Sequence, residues 1–530
     1  MSPRVFFCSI LIFFVWTTFP NAEEMGVEVL KKAKVLNLRS AITRGIQKNL
    51  DLRVEEINIP ISREDTITKD AEFDPKIDAS IHSLEQETPV ASAFTEGGLD
   101  IYRETGGTMG IRKKFRFGLE SRLSYDILRS MNNSSVDVLR PQYQNFLVLN
   151  ITQPLLRDLG TYVNTADLRI SRNYMLKAVE GYMDQARQIA GEVELLYYDL
   201  AEAVSIYNYR LESLKLANEL FRDNRKKFNA GLVPITEVQE AETAVASRDE
   251  QVVFARQRLE ISTNSLKDVL EIRPGDSLYN DFFVTEKISD EEITFPEFEK
   301  AYEVALKRRP DIKRQHIEIA NFNINLEFYR NQKLPRLDLE ATLGANGLSG
   351  GDRPVSFPGI LSYNSHEGNY MDSLSRMADV DGYEWYVGLN FTYPLGNRAA
   401  KARYRTADQK KCQALYKLKR LEGKVETEIK NSLIVIERSL ERIKVSGRFE
   451  KLAEITLNQE MKRLKEGISD TFRILDFQDD LIDARVRKVT ALKDFNRGLA
   501  LLYQAMGENL NRFNIIAKYK DINKETFYAK

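Results

Sequence analysis

The stretch KFNAGLVPITEVQEAE (227–242) breaks a long helical segment once, at Gly231 and Pro234, after which the helical pattern resumes. Glycine commonly ends a helix, and proline suits the first turn of the next one. The stretch therefore predicts the tip of a helical hairpin. A second stretch, RLKEGISDTFRILDFQDD (463–480), has the same layout, with an aliphatic residue seven positions after the glycine and an acidic residue two further on. Gly467 thus predicts a second tip.

The segments around both tips predict unusually long helices. Between Pro154 and Pro274 the only proline is Pro234, and no proline follows Pro394. Both segments are rich in Ala, Leu, Glu, Lys, Arg and Gln, which favour helix. A single helix over residues 157–230 would measure on the order of 110 Å at about 1.5 Å per residue. Such lengths indicate a coiled-coil-like assembly.

The sequence also repeats itself. Residues 41–78 align without gaps with residues 301–338, and LVLNITQPLL (147–156) matches VGLNFTYPLG (387–396) at five positions. Because the tips follow in the same order, we predict two tandem structural repeats, each with helix, strand, strand, long helix, tip and helix. The predicted boundaries are a signal peptide (1–22), an N-terminal segment (23–36), repeat 1 (37–280), a linker (281–295), repeat 2 (296–515) and a C-terminal tail (516–530).

The N-terminus predicts export. Arg4 precedes an apolar run from Val5 to Trp16, and small and polar residues follow, with cleavage expected after Ala22. A membrane anchor is the alternative, but the run is too short to span about 30 Å of hydrocarbon. No later stretch approaches 18 apolar residues, so a helical span is excluded. An exported chain can still be integral if it supplies strands to a closed barrel.

Alternating stretches predict such strands. Apolar and polar residues alternate over residues 109–127, which predicts one strand there, and again in RLDLEATLGANG (336–347). In YEWYVGLNFTYPL (383–395) one face is aromatic and aliphatic, and aromatic residues at its ends suit a membrane interface. A soluble β-sandwich is the alternative for any one strand. The lipid-facing residues are predicted to be Trp385, Val387, Leu389 and Phe391, with Asn390 facing the bore.

The composition argues against several functional classes. With 77 basic and 78 acidic residues the chain has no bulk charge that would attract nucleic acid. The histidines lie far apart, and only one cysteine remains after processing, so we expect no metal site, no cofactor and no disulfide. We find no nucleophile elbow, no HExxH and no phosphate-binding glycine loop, and we predict that the protein is not an enzyme. Acidic pairs such as Asp479 and Asp480 are interpreted as solvated helix surface.

The repeat layout and the two tip motifs resemble the TolC family of outer-membrane efflux proteins, over essentially the whole mature chain. The resemblance implies a homotrimer with a β-barrel in the outer membrane of a Gram-negative bacterium and a long α-helical tunnel across the periplasm. It implies a passive exit duct of a tripartite efflux or type I secretion system. Its partners would be a periplasmic adaptor, an inner-membrane pump and outer-membrane lipid.

The resemblance also suggests residues for the tunnel entrance. The tip glycines Gly231 and Gly467 match the family's adaptor-docking surface, with turn geometry alone as the alternative. Glu237 matches the acidic member of the family's resting gate, and Asp476 matches a ring of acidic residues that narrows the entrance. A tyrosine and an arginine of the prototype gate are replaced here by Leu464 and Ser469, so Arg473 is the predicted new partner of Glu237.

The strand count independently predicts an oligomer. Two strands per repeat give four per chain, too few to close a barrel, whereas three chains give twelve. The expected fold is thus a mixed α/β membrane protein, a trimeric 12-stranded β-barrel that continues into a helical tunnel. The alternative function is a periplasmic coiled-coil structural or adaptor protein, which fits the helices but not the strands.

Overall fold

The computed structural model describes residues 33–91, 98–286, 294–353, 355 and 366–515. The predicted signal peptide and C-terminal tail lie outside the described residues. The chain divides into two compact units. One unit, which we call the sheet unit, comprises the described residues within 57–180 and 313–420, and the helical unit comprises the described residues within 33–56, 181–312 and 421–515.

The strands and helices, each numbered in chain order, have the following bounds. The described strands are β1 (Lys34–Leu36), β2 (Lys76–Pro89), β3 (Leu99–Lys114), β4 (Glu120–Asn132), β5 (Leu139–Pro154), β6 (Phe283–Thr285), β7 (Arg336–Asp352) and β8 (Gly382–Thr392). The described α-helices are α1 (Leu38–Lys48), α2 (Leu50–Asp70), α3 (Thr161–Asn164), α4 (Ala166–Asn229), α5 (Ile235–Val269), α6 (Phe298–Arg308), α7 (Pro310–Asn331), α8 (Tyr370–Ala378), α9 (Arg398–Lys465), α10 (Thr471–Met506) and α11 (Asn509–Arg512). Among the described residues, no helix is long and apolar enough to cross a membrane.

The sheet unit contains a six-stranded sheet in the order β2-β3-β4-β5-β7-β8. Every neighbouring pair in it is antiparallel. Four of these strands lie in the region predicted as repeat 1 and two in the region predicted as repeat 2. The prediction of two strands per repeat is therefore wrong for the first of these regions. The sheet has six strands per chain instead of the predicted four.

A hairpin explains that error. Residues 109–127 form two strands joined by a turn, because β3 ends at Lys114 and pairs there with Glu120. In the turn Gly118 has φ +104°, which glycine adopts readily, and an added Cβ would lie 2.6 Å from the carbonyl oxygen of Asp158. Five residues separate the paired ends, so even-numbered residues stay on the same face in both strands. The alternation therefore continues through the turn and hides it.

The two faces of the sheet differ in polarity along part of their length. Cross-strand pairing places odd-numbered residues on one face and even-numbered residues on the other, so Leu389 pairs with Leu339 and Asn390 with Asp338. The odd face carries exposed apolar side chains on every strand, among them Ile77, Ile81, Met109, Ile111, Leu123, Leu147, Leu343, Trp385, Val387, Leu389 and Phe391. The odd face also carries an exposed ion pair between Arg103 and Glu85 at 2.6 Å. On the even face, Arg122 forms an ion pair with Asp78 at 2.8 Å.

The helical unit is held together by coiled-coil-like packing. On α9 the buried side chains Val425, Ile429, Ser432 and Ile436 recur at spacings of four, three and four residues, which places them on one helix face. The long helices are confirmed: α4 has 64 residues and α9 has 68. A close helix contact is visible at Gly498, where an added Cβ would lie 2.9 Å from the Ile436 side chain.

Candidate functional site

The two tips of the helical unit have the same backbone geometry. At the first tip, the Leu232 amide donates to the Lys227 carbonyl at 2.9 Å, and the Gly231 amide donates to the Phe228 carbonyl at 2.9 Å. This is a Schellman motif, which requires a left-handed residue at the glycine, and Gly231 has φ +74°.

The second tip repeats this motif. The Ile468 amide donates to the Arg463 carbonyl at 3.0 Å, and the Gly467 amide to the Leu464 carbonyl at 3.2 Å. Gly467 has φ +76°, and nothing lies within 4 Å of an added Cβ there or at Gly231. Both glycines therefore adopt the left-handed conformation that the turn requires, and the space above each of them is open. The tip positions are as predicted from the sequence, while the docking role remains a prediction.

A polar network joins three helices immediately behind the tips. The Thr471 hydroxyl donates to Glu237 Oε2 at 2.7 Å and accepts from Asn224 Nδ2 at 2.6 Å. The same Nδ2 also donates to the Glu237 carbonyl at 3.1 Å. Thr471 is fully buried and Asn224 almost so. This network ties α10 to α4 and α5 through two buried side chains, Thr471 and Asn224, and the half-buried Glu237.

Arg473 has a different partner from the one that we predicted. Its guanidinium lies 3.7 Å from Glu460 Oε1, and Glu460 also accepts from the Ser469 hydroxyl at 2.6 Å. Within the chain, Arg473 is thus paired with α9, whereas Glu237 is bound by Thr471. The reason is helical phase: Thr471 faces α4 and α5, and Arg473, two residues later, points elsewhere. Asp476 is exposed on α10.

Arg248 of α5, whose side chain is buried, forms a second contact with α10. Its guanidinium donates to Gln478 Oε1 at 2.7 Å and to Asp479 Oδ1 at 2.9 Å. It also donates to the Ser213 and Leu475 carbonyls, both at 3.2 Å. Burial lowers the pKa of Arg248, while the adjacent Asp479 carboxylate acts in the opposite direction. Asp479 is largely exposed, as predicted, but it is also an ion-pair partner, which the sequence reasoning missed.

A buried carboxyl lies in another part of the helical unit. Glu194 is completely buried and accepts from Arg512 Nη1 at 2.9 Å. Burial raises the pKa of Glu194 to about 7, and the Arg512 charge only partly opposes this. Among the described residues, no group of three or more His, Cys, Asp or Glu side chains is arranged to hold a metal ion.

Asn224, Thr471, Glu460 and Arg248 were not singled out from the sequence. A weak signal was present in one case, because Thr471 is a polar residue at a position of α10 that the helical period assigns to the buried face, three residues before Ile474. The partners of the other three depend on how neighbouring helices are rotated, and the sequence pattern does not contain that information.

Solved structures with the same fold are outer-membrane proteins, and those of CmeC and MtrE are described as outer-membrane channels. The CmeC channel of Campylobacter jejuni has 16% identity and a TM-score of 0.62, with 98% of each chain covered. VceC of Vibrio cholerae has 14% identity and a TM-score of 0.60, covering 89% of this chain and 96% of that one. MtrE of Neisseria gonorrhoeae, in its open state, has 16% identity and a TM-score of 0.56, covering 89% of this chain and 88% of that one. No curated protein matches the chain.

These likenesses show that the chain has the fold of these outer-membrane proteins. The sequence itself matches the family described as outer membrane efflux protein over residues 116–270 and 301–508. The chain belongs to this family, and its function is that of an outer-membrane efflux duct. The sequence-based resemblance is confirmed.

Proposed function

We propose that three copies of the chain form one duct, with the sheets closed into a barrel in the outer membrane and the helices forming a periplasmic tunnel. The observation that carries the proposal is the exposed apolar face of the sheet. Trp385 is 70% exposed and Leu389 is 65% exposed. A soluble monomer rarely exposes a large contiguous apolar surface, whereas a barrel presents such a face to lipid. The opposite, charged face then lines a water-filled bore.

The duct serves as the passive exit of a tripartite efflux or type I secretion system in a Gram-negative bacterium. An inner-membrane pump supplies the energy, and a periplasmic adaptor connects it to the tips. The open space above Gly231 and Gly467 supports docking at this surface, since a partner backbone can approach closely there. No chemical step by the duct is required, and we propose no cofactor.

The network at the tips acts as the resting gate. Glu237 and Thr471 hold α10 against α4 and α5, and Arg473 with Glu460 holds the start of α10 against the end of α9. Asp476 lies one turn further along α10 and is exposed. Three copies of Asp476 around the axis would create a negative potential at the entrance and favour cations there.

Extraction of membranes with alkaline carbonate tests the proposal. We expect the protein to stay in the membrane fraction and to run as a heat-modifiable trimer in mild detergent. An exported coiled-coil structural or adaptor protein, the alternative function, would instead be released by carbonate. Release of the protein, or a monomer that does not conduct ions in a planar bilayer, would overturn the proposed duct.

A further inference from the structure

The six-stranded sheet ends in two strands that have a neighbour on one side only. Within the described residues, β2 pairs with β3 alone and β8 with β7 alone. The strands have 14 and 11 residues, and neither contains an internal proline, so each free edge has a nearly complete row of backbone donors and acceptors. Unpaired backbone groups cannot face hydrocarbon, because each one costs several kcal/mol there.

Strand direction fits the two edges to each other. Successive strands of the sheet are antiparallel throughout, and six is an even number, so β2 and β8 run in opposite directions. If β8 of one copy lies beside β2 of the next, that pair is antiparallel like every other pair in the sheet. An odd number of strands per chain would have forced a parallel pair at each junction.

The side chains of the two edges fit as well. On the odd face, β8 presents Trp385 and Val387, which are 70% and 60% exposed, and β2 presents Ile77 and Ile81, which are 69% and 90% exposed. Cross-strand aromatic and β-branched pairs stabilise a sheet. Pairing of the edges joins these apolar side chains into one band.

All six strands are long enough to cross a membrane, for which about 9–11 tilted residues are needed. The hairpin of β2 and β3, which would add two strands to a barrel closed by β4, β5, β7 and β8, is also continuous with the rest of the sheet. β3 is paired with β2 from Lys76–Arg112 to Pro89–Leu99, and with β4 from Tyr102–Asn132 to Lys114–Glu120. Excluding β2 and β3 from the barrel would break the whole β3–β4 ladder and expose its backbone groups.

We propose that β8 of each copy pairs with β2 of the next, so that three copies close a barrel of eighteen strands rather than twelve. The inference rests on the trimer of the proposed function and replaces the twelve strands that the sequence predicted. Since barrel diameter grows roughly linearly with strand number, the barrel is about 1.5 times as wide as a twelve-stranded one. Barrels of this size leave an aqueous channel.

Cysteine cross-linking in the outer membrane tests the junction. In a Cys412→Ser background, Val387→Cys on β8 is combined with a cysteine at Ile77, Ala79 or Ile81 on β2. A single chain cannot join these edges, because a six-stranded barrel is below the smallest known size. We expect at least one pair to convert the monomer band on a denaturing, non-reducing gel into a covalent trimer that reductant reverses.

A matched set distinguishes the eighteen-stranded barrel from a twelve-stranded one. If only β4, β5, β7 and β8 closed the barrel, the neighbour of β8 would be β4. Val387→Cys would then cross-link to a cysteine at Leu123, Tyr125 or Ile127, and this result would overturn the inference. Absence of every β2 link in protein that still forms heat-modifiable trimers would also overturn it, but would leave the proposed duct intact. Absence of the trimer itself in the Cys412→Ser parent would count against the proposed function.

Discussion

Replacement of Thr471 by valine removes one hydroxyl from the tip network and changes the side-chain shape very little. Asn224 Nδ2 then loses its 2.6 Å acceptor, and Glu237 Oε2 loses its 2.7 Å donor. Asn224 is only 1% exposed, so water does not readily replace the lost partner. Asn224 Nδ2 keeps the Glu237 carbonyl at 3.1 Å as the acceptor of one N–H, so the substitution leaves its second N–H without a partner. A buried donor without a partner costs about 1–3 kcal/mol. If opening of the tip lets water reach these groups, the penalty falls on the closed state alone. Since about 1.4 kcal/mol is a factor of ten, the open-to-closed ratio should rise roughly 5- to 150-fold.

The measurement is the resting single-channel conductance of purified trimers in a planar bilayer, together with the sensitivity of cells to a large antibiotic that the closed duct excludes. Thr490→Val is the matched control, because Thr490 lies on the same helix and donates to Glu202 at 2.8 Å, away from the tip. We expect the control to conduct like the wild type. Equal effects of the two substitutions, or no effect of Thr471→Val in intact trimers, would refute the gate assignment.

Four further predictions concern the strands, the docking surface, the entrance and the helical unit. Leu389→Arg should destabilise the inserted barrel by about 2–4 kcal/mol near the bilayer midplane and lower the yield of inserted trimer. Asn390→Arg should leave insertion intact and change the conductance. The opposite pattern would mean that the polar face meets lipid. Gly467→Arg should abolish export while heat-modifiable trimers persist. Gly467→Ala, which has the same backbone strain but little bulk, should still export. Loss of trimers in Gly467→Arg would favour a purely structural role for this glycine. Asp476→Ala should shift the reversal potential in a salt gradient toward lower cation selectivity, and an unchanged potential would place the selective constriction elsewhere. The pKa of Glu194 is about 7 in the folded protein against 4.5 as the ordinary value, so its favourable contribution is complete at low pH and is lost as pH rises through 7. The midpoint temperature of unfolding in detergent should therefore decrease as the pH is raised from 5 to 8. The decrease should be smaller in Glu194→Gln, and an equal pH dependence of the two proteins would contradict this prediction.

The sequence predicted those parts of the fold that local chemistry determines. Gly231 and Gly467 mark both tips because a Schellman motif needs a left-handed residue, and glycine adopts it without strain. The assignment of Leu389 and Asn390 to opposite faces is confirmed by the register of β7 and β8. Strand alternation in these cases is a property of a single strand, and no knowledge of its neighbours is needed.

Two kinds of information were beyond the sequence pattern. The first is the turn at Gly118, which periodicity could not reveal because the loop keeps the parity of the flanking strands. The second is the choice of partner between helices. Arg473 and Thr471 are two residues apart on α10, yet the first is paired with Glu460 and the second with Glu237. That choice is set by the rotation of α10 against three other helices, which small differences in packing decide.

The composition of the buried face of α10 indicates where the helical unit can open at the lowest cost. In the first two turns that face consists of Thr471 and Gln478, whose partners are polar groups of neighbouring helices, and the apolar Ile474 between them. Farther from the tip the buried residues are mostly apolar, including Val489, Phe495 and Leu499. Separating apolar surfaces costs about 25 cal/mol for each Å² exposed to water. A hydrogen bond exchanged for water costs only about 0.5–1.5 kcal/mol net, because the separated groups are solvated again. Separation of α10 from its neighbours is therefore cheapest in its first two turns, and we infer that gating motion is confined to the tips while the apolar remainder stays packed.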